Sequence, residues 1–162
     1  MGKMKPKSDN LCRAVHEAAH CIAAEHLGVS VTGAYVGRRV EDAYSYEGRM
    51  ITGGGMSYEP IVLQSTEDLI WHSPIDLSGP VAEQLFLGRI CKGTGFWNNK
   101  QYIDDLLPIL SHIPEADRPA LVESTTQLVE ANWPVILALA EQLVAAKSLD
   151  GAAIRAVISS HS

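Results

Sequence analysis

The strongest constraint on this chain is a long helical pattern near its N-terminus, from Asp9 to Leu27. One apolar stripe recurs along it at helical spacing: Leu11, Val15, Ala18 and Ile22. Several alanines keep the segment narrow, and a second face half a turn away carries His16 and His20. We therefore expect a central helix that packs on more than one side and ends at Gly28.

The rest of the pattern predicts a mainly α protein with a small β-sheet (α+β). Strand patterns cover Val29–Val36 and Tyr44–Thr52, and the second ends in the glycine run Gly53–Gly55, which we expect to be flexible. Helical patterns follow: one from Ser65 or Thr66, one over Pro74–Leu87 with a bend or restart at Pro80 and a stop at Gly88, and others over Asp104–Ile113, Pro119–Ala131, Trp133–Ala146 and Asp150–Ile158. No repeat or linker divides the chain, so residues 1–162 are predicted to form one domain, with residues 1–8 disordered.

Composition excludes several function classes. Of 162 residues, 46% are hydrophobic and 20% are charged, and the formal net charge is −6. Binding nucleic acid through the overall field needs a basic surplus, so we expect no nucleic-acid partner. No apolar run reaches the roughly 18 residues of a membrane span. The cysteines Cys12, Cys21 and Cys91 form no CxxC pair. We therefore expect a soluble, cytoplasmic protein with buried free thiols.

The sharpest chemical signal lies inside the first helical pattern, where residues 16–20 read His-Glu-Ala-Ala-His, an HExxH motif. Histidines four residues apart project from the same face of a helix, so two imidazoles can reach one metal ion. Glu17 lies to one side of them, where its carboxylate can hold the hydrolytic water without being a ligand. The motif predicts metal-assisted amide hydrolysis, with His16 and His20 as zinc ligands and Glu17 as general base.

Two histidines leave a zinc site incomplete, because a catalytic site has a third protein ligand. His26 lies six residues after His20, but the HExxHxxGxxH arrangement is absent. The candidates are therefore carboxylates: Glu83, Asp76, Asp104 and Asp105. The residue types alone do not choose among them.

The remaining histidines and the tryptophans are interpreted as structural residues. We expect these histidines at the surface or in helix caps: His26, His72, His112 and His161. We expect these tryptophans in core or rim packing: Trp71, Trp97 and Trp133.

Three blocks of the sequence resemble the peptidase domain of the FtsH-type AAA proteases. Ala14–Ala24 is similar to that family's HEAGHAIVA helix, with Ala19 where glycine is usual. Leu77–Gly88 resembles its LGGRAAEELVFG block, and Asn132–Gly151 resembles its closing N…L…LAEALLE…LDG helices. The resemblance runs from about Leu11 to Ile158. It does not extend to the family's ATPase module or membrane anchor. It implies a solitary zincin-like domain, acting as a zinc-dependent, ATP-independent endopeptidase on unfolded polypeptides.

The resemblance also implies a third zinc ligand. In the family this ligand is an aspartate that opens the helix after the glutamate-containing one, which implies Asp104 or Asp105 here. An apolar residue follows the family's ligand and a core residue lies four positions on, as Leu106 and Ile109 do for Asp105. A helical stripe favours Asp104 instead: Ile103, Leu107 and Leu110. We expect Asp105 to bind Zn²⁺, with Asp104 and Glu83 as the alternatives. Glu83 either accepts a hydrogen bond from a ligating histidine or has a purely structural role.

The family's substrate, an unfolded chain, binds beside an edge strand, which implies the Tyr44–Thr52 region here, with Gly53–Gly55 letting that edge flex. A homo-oligomer or a separate regulatory partner is compatible with the sequence. Two other interpretations stay open: a non-catalytic protein-binding module that keeps the fold around a structural zinc, and an aminopeptidase or processing enzyme. Glu17 argues against the first, because a structural zinc site has no use for an acid at that position.

Overall fold

A computed structural model describes residues 9–37, 44–46, 49–51, 53–88 and 106–161. Helix α1 (Asp9–His26) is followed by strands β1 (Val31–Val36), β2 (Tyr44–Tyr46), β3 (Arg49–Ile51) and β4 (Gly54–Tyr58), and by helix α2 (Thr66–Leu87). Residues 106–110 are helical (α3). Helices α4 (Arg118–Ala131) and α5 (Trp133–Ala146), strand β5 (Ser148–Asp150) and helix α6 (Gly151–Ser160) complete the chain. The mainly helical α+β prediction is confirmed.

Helix α1 lies at the centre of the packing, as its pattern predicted. It contacts α2, α5, β1 and β4, so its opposite sides are both covered. The predicted stripe is buried at Val15, Ala18 and Ile22, and the small side chains on the other side are buried too: Ala14, Cys21 and Ala24. Gly28 follows the helix with a φ of 81°, a conformation that glycine adopts without strain.

The sheet has three antiparallel strands in the order β4-β1-β5. Strand β4 is therefore an edge strand of the sheet as described. Strands β2 and β3 pair separately as a hairpin, with Tyr44 opposite Ile51. The region predicted as one strand over Tyr44–Thr52 thus holds two short strands, and Thr52 lies outside the described residues. Strand β5 was not predicted, because three residues carry too little pattern to separate from the turn before α6.

The glycine run was expected to be the flexible end of the second strand pattern, but Gly54 and Gly55 belong to a separate strand, β4, and pair with β1. A Cβ on Gly54 would lie 2.8 Å from Cγ of Arg13, and a Cβ on Gly55 would lie 2.7 Å from the hydroxyl of Tyr35. Glycine is needed here because other side chains lie directly over the strand. A run of glycines is typical of a loop, so the sequence pattern pointed the other way.

Helix α2 runs through Pro74 and Pro80 as one helix, so the two separate helices predicted there are wrong. A proline removes one hydrogen bond from a helix, and the long buried face of α2 packs on α1 along its length, which holds the helix together. The predicted ends are confirmed. The Ser65 side chain accepts the first-turn N–H of Asp68 at 3.1 Å, and Gly88 closes the helix with a φ of 76°.

The C-terminal helices agree with their patterns to within two residues. Helix α6 is capped by Asp150, whose side chain accepts the N–H of Ala153. Cys12 and Cys21 are buried free thiols, as predicted, and Cys91 lies outside the described residues. Within the described residues no single helix is long and apolar enough to cross a bilayer. The segment Glu115–Ala131 and α5 pass that test only as a pair, and a bend of 70° separates them.

Candidate metal centre

Helix α1 presents His16 and His20 side by side, as the four-residue spacing predicted. Their ring centroids are 4.6 Å apart, and the ring planes meet at 76°. One ligand atom from each of His16, Glu17 and His20 lies within 4.8 Å of the other two. In the part of the chain that the structure describes, no other group of three or more His, Cys, Asp or Glu side chains meets that distance.

The hydrogen bond of His20 determines which of its nitrogens is available. Nδ1 lies 2.5 Å from the carbonyl oxygen of Ile75 in α2. A carbonyl only accepts, so Nδ1 carries the proton and Nε2 keeps its lone pair. Desolvation and the neighbouring His16 lower the pKa of His20 to about 3. The ring is therefore neutral at physiological pH, which is the form that binds a metal.

His16 is oriented by a carboxylate on each side of its ring. Its Nδ1 lies 3.4 Å from Oε1 of Glu83 in α2, and its Nε2 lies 3.8 Å from Oε1 of Glu17. Glu83 is buried, so it faces the imidazole in surroundings where charge is poorly screened. Glu83 thus lies beside the His16 ring, but the predicted hydrogen bond between His16 Nδ1 and Glu83 Oε1 is not formed in the structure.

Glu17 is only 3% exposed, and it lines a cleft of about 320 Å³ between α1, β4 and α2. The volume lies at the lower end of the range for small-molecule and peptide-sized sites. The other lining residues are His20, Met56, Tyr58, Ile75 and Asp76. The predicted base and one predicted ligand therefore face the same open cleft.

Helix α2 lies directly against the histidine pair at Gly79. A Cβ at this position would overlap Nε2 of His20, and it would lie 2.5 Å from Cε1 of the same ring and 2.8 Å from Cδ2 of His16. Because Gly79 has no side chain, the backbone of α2 packs directly against the edge of the His20 ring that carries Nε2. Two imidazoles whose Nδ1 atoms face protein oxygens form a donor set that suits Zn²⁺.

The third ligand is not among the residues placed here. Asp104 and Asp105 lie outside the described residues. Asp76 lines the cleft but does not belong to the group formed by the two histidines and Glu17. The stripe that favoured Asp104 is divided, because Leu107 is 40% exposed and Leu110 is fully buried; Leu106, next to Asp105, is fully buried as well. Asp105 stays the predicted ligand.

The sequence did not predict that His72 and Tyr58 lie together beside the cleft. His72 was expected at the surface, but it is buried, and its Nε2 lies 3.1 Å from the hydroxyl of Tyr58. Its Nδ1 lies 3.6 Å from Oδ2 of Asp76, four residues further along α2. That four-residue spacing was the available signal, whereas the contact with Tyr58 joins β4 to α2 and leaves no local pattern. The other described histidines are exposed, as predicted: His26, His112 and His161. Trp133 packs against the core as predicted, Trp71 is 44% exposed rather than packed, and Trp97 lies outside the described residues.

Comparison with known proteins places the chain in no family. No protein-family model matches it, and no curated protein is significantly similar to it. The likeness to FtsH-type peptidases therefore rests on the quoted residues and motifs.

Proposed function

We propose that this chain is a zinc-dependent, ATP-independent endopeptidase with a zincin-like, FtsH-type fold. The observation that supports it best is the convergence of ligand atoms from His16, His20 and Glu17 within 4.8 Å of one another, with Glu17 and His20 lining a cleft. A buried carboxylate beside two oriented, metal-competent imidazoles is the arrangement that hydrolysis of an amide requires.

Each residue of the proposed site has its own chemical role. His16 and His20 hold Zn²⁺, and Asp105 completes the ligand set. When bound, the ion polarises the scissile carbonyl and lowers the pKa of water to about 7. Glu17 takes the proton from the attacking water and passes it to the leaving amine. Glu83 keeps the His16 ring oriented, so that its Nε2 stays on the side of Glu17.

The substrates are unfolded or flexible polypeptides, because a cleft of about 320 Å³ has no room for a folded domain. Its described wall includes Met56 and Tyr58 of β4, an edge strand of the sheet. An extended peptide pairs with such an edge through main-chain hydrogen bonds. We therefore place the substrate along β4 rather than along the Tyr44–Thr52 region that the sequence suggested.

The test combines metal content with proteolysis. We expect the purified protein to carry about one zinc ion and to cleave casein without added nucleotide. Glu17→Gln should keep the zinc and slow cleavage by roughly a hundredfold or more. Glu123→Gln, an exposed glutamate on α4, is the matched control and should cleave like the parent. Zinc with no cleavage by the parent would favour the structural-zinc module, and equal cleavage by Glu17→Gln would exclude the proposed mechanism.

A further inference from the structure

The cleft contains a second carboxylate that the proposed hydrolysis does not use. Asp76 lines the cleft together with Glu17, and its side chain is 51% exposed. It follows Ile75, whose carbonyl oxygen accepts the Nδ1–H of His20, so it lies next to the metal centre along α2. It is outside the group of close ligand atoms, and it is therefore free to face a substrate.

The charges around the cleft leave Asp76 without a fixed positive partner. None of the described residues that line the cleft is a lysine or an arginine. The neighbouring basic group on its own helix is His72, at 3.6 Å, and this imidazole is charged only when protonated. On the other wall the charged side chain is that of Glu17, which is acidic. Glu17 and an aspartate ligand together offset the charge of a divalent ion. The negative charge of Asp76 is then left uncompensated.

The walls beside Asp76 suit an alkyl chain that ends in a cation. Met56 offers partly exposed apolar surface, and Tyr58 adds an aromatic ring, whereas Ile75 is only 1% exposed. Methylene groups pack on such walls while a charged end stays at the polar rim. A cation is attracted both by the face of an aromatic ring and by a carboxylate, and the second contact is a charge-assisted hydrogen bond.

We propose that Asp76 makes this cleft select a cationic group of the substrate, the side chain of lysine or arginine or a free N-terminal ammonium, beside the bond that is cleaved. Selective cleavage beside a cationic group rests on the proposed function. Selective binding of the cation does not depend on hydrolysis. Desolvation raises the pKa of Asp76, and a bound cation shifts it back by favouring the ionised carboxylate.

Peptide binding to the zinc-loaded Glu17→Gln variant tests the proposal without cleavage. The peptides carry lysine, norleucine or glutamate at otherwise matched positions, each with a free or an acetylated N-terminus. We expect the lysine peptides, or the peptides with a free N-terminus, to bind roughly tenfold tighter than the uncharged ones. The acetylated series separates the two sources of the cation. Affinities that do not depend on charge would overturn the proposal.

Cleavage of casein, mapped by mass spectrometry, gives the second measurement. We expect lysine or arginine at one fixed position relative to the cut, or release of residues from a free N-terminus. Asp76→Asn should lose this preference, and Asp76→Glu should keep it. Glu67→Gln, exposed on the same helix and away from the cleft lining, is the control. A preference that survives Asp76→Asn would overturn the assignment, whereas charge-selective binding without cleavage would refute only the proposed function.

Discussion

Gly79 of α2 and the imidazole of His20 in α1 are so close that a single methyl group on Gly79 would overlap Nε2 of the ring. The contact ties the position of α2 to the geometry of the histidine pair. We expect Gly79→Ala to displace the ring or the helix, which lowers the affinity for zinc and costs about 1–3 kcal/mol of folding stability.

Calorimetric titration of zinc and thermal unfolding of the metal-free variant check this. Gly28→Ala is the control. Gly28 lies outside the site and has a positive φ at which alanine is strained, so this variant should reduce stability without changing zinc affinity. Normal zinc affinity in Gly79→Ala would show that the two helices separate without affecting the ligands.

A second prediction concerns Glu83, which faces Nδ1 of His16. Removing the carboxylate with Glu83→Gln weakens the orientation and basicity of the ring, so zinc affinity should fall by roughly 10–100-fold. Competition with a chromophoric chelator measures this. Glu141→Gln, exposed on α5, should leave the affinity unchanged. If Glu83→Gln binds zinc like the parent, Glu83 has a structural role only.

A third prediction separates the adjacent aspartates. Leu106 is fully buried and Ile109 is partly buried, as the Asp105 assignment needs, whereas Leu107 on the stripe that favoured Asp104 is 40% exposed. Asp105→Ala should lose most zinc affinity, and Asp104→Ala should keep near-normal metal content. Full zinc in both single variants would place the third ligand elsewhere in the chain.

The stability of the metal-free protein should depend on pH through His20. Its pKa is about 3 in the folded protein and 6.5 in the unfolded chain, so the unfolded state takes up the proton first as pH falls. The contribution of this ring to folding stability is complete above pH 6.5 and decreases toward pH 3, by at most about 1.4 kcal/mol per pH unit.

Denaturant unfolding in the presence of a chelator, repeated between pH 7.5 and pH 4.5, measures that slope. His20→Gln should flatten it, and His26→Gln, an exposed histidine at the end of α1, should not. A parent slope that His20→Gln leaves unchanged would mean that other groups dominate the pH dependence.

The local features of this protein were predictable from its sequence, and the contacts between distant segments were not. His16, Glu17 and His20 come together because they lie within two turns of one helix, and that spacing is visible in the sequence. The contact of Tyr58 with His72 joins two separate elements, so no local pattern marks it.

The incorrect predictions about the fold arose at proline and glycine residues. Pro80 predicted a break, but burial against α1 kept α2 continuous. Gly54 and Gly55 predicted a loop, but they allow β4 to pass beneath Arg13 and Tyr35. In both places tertiary packing overrode the local preference of the residue, and a single sequence does not report that packing.

The position of the histidines on α1 has a consequence for how this protein opens. The amide groups of a helix covered on opposite sides are expected to exchange with solvent late, whereas an edge strand such as β4 can separate at lower free energy. His16 and His20 therefore belong to a unit that opens late, and the proposed substrate strand belongs to a more labile one. A peptide can be admitted by local fluctuation at the sheet edge while the geometry at His16 and His20 stays intact.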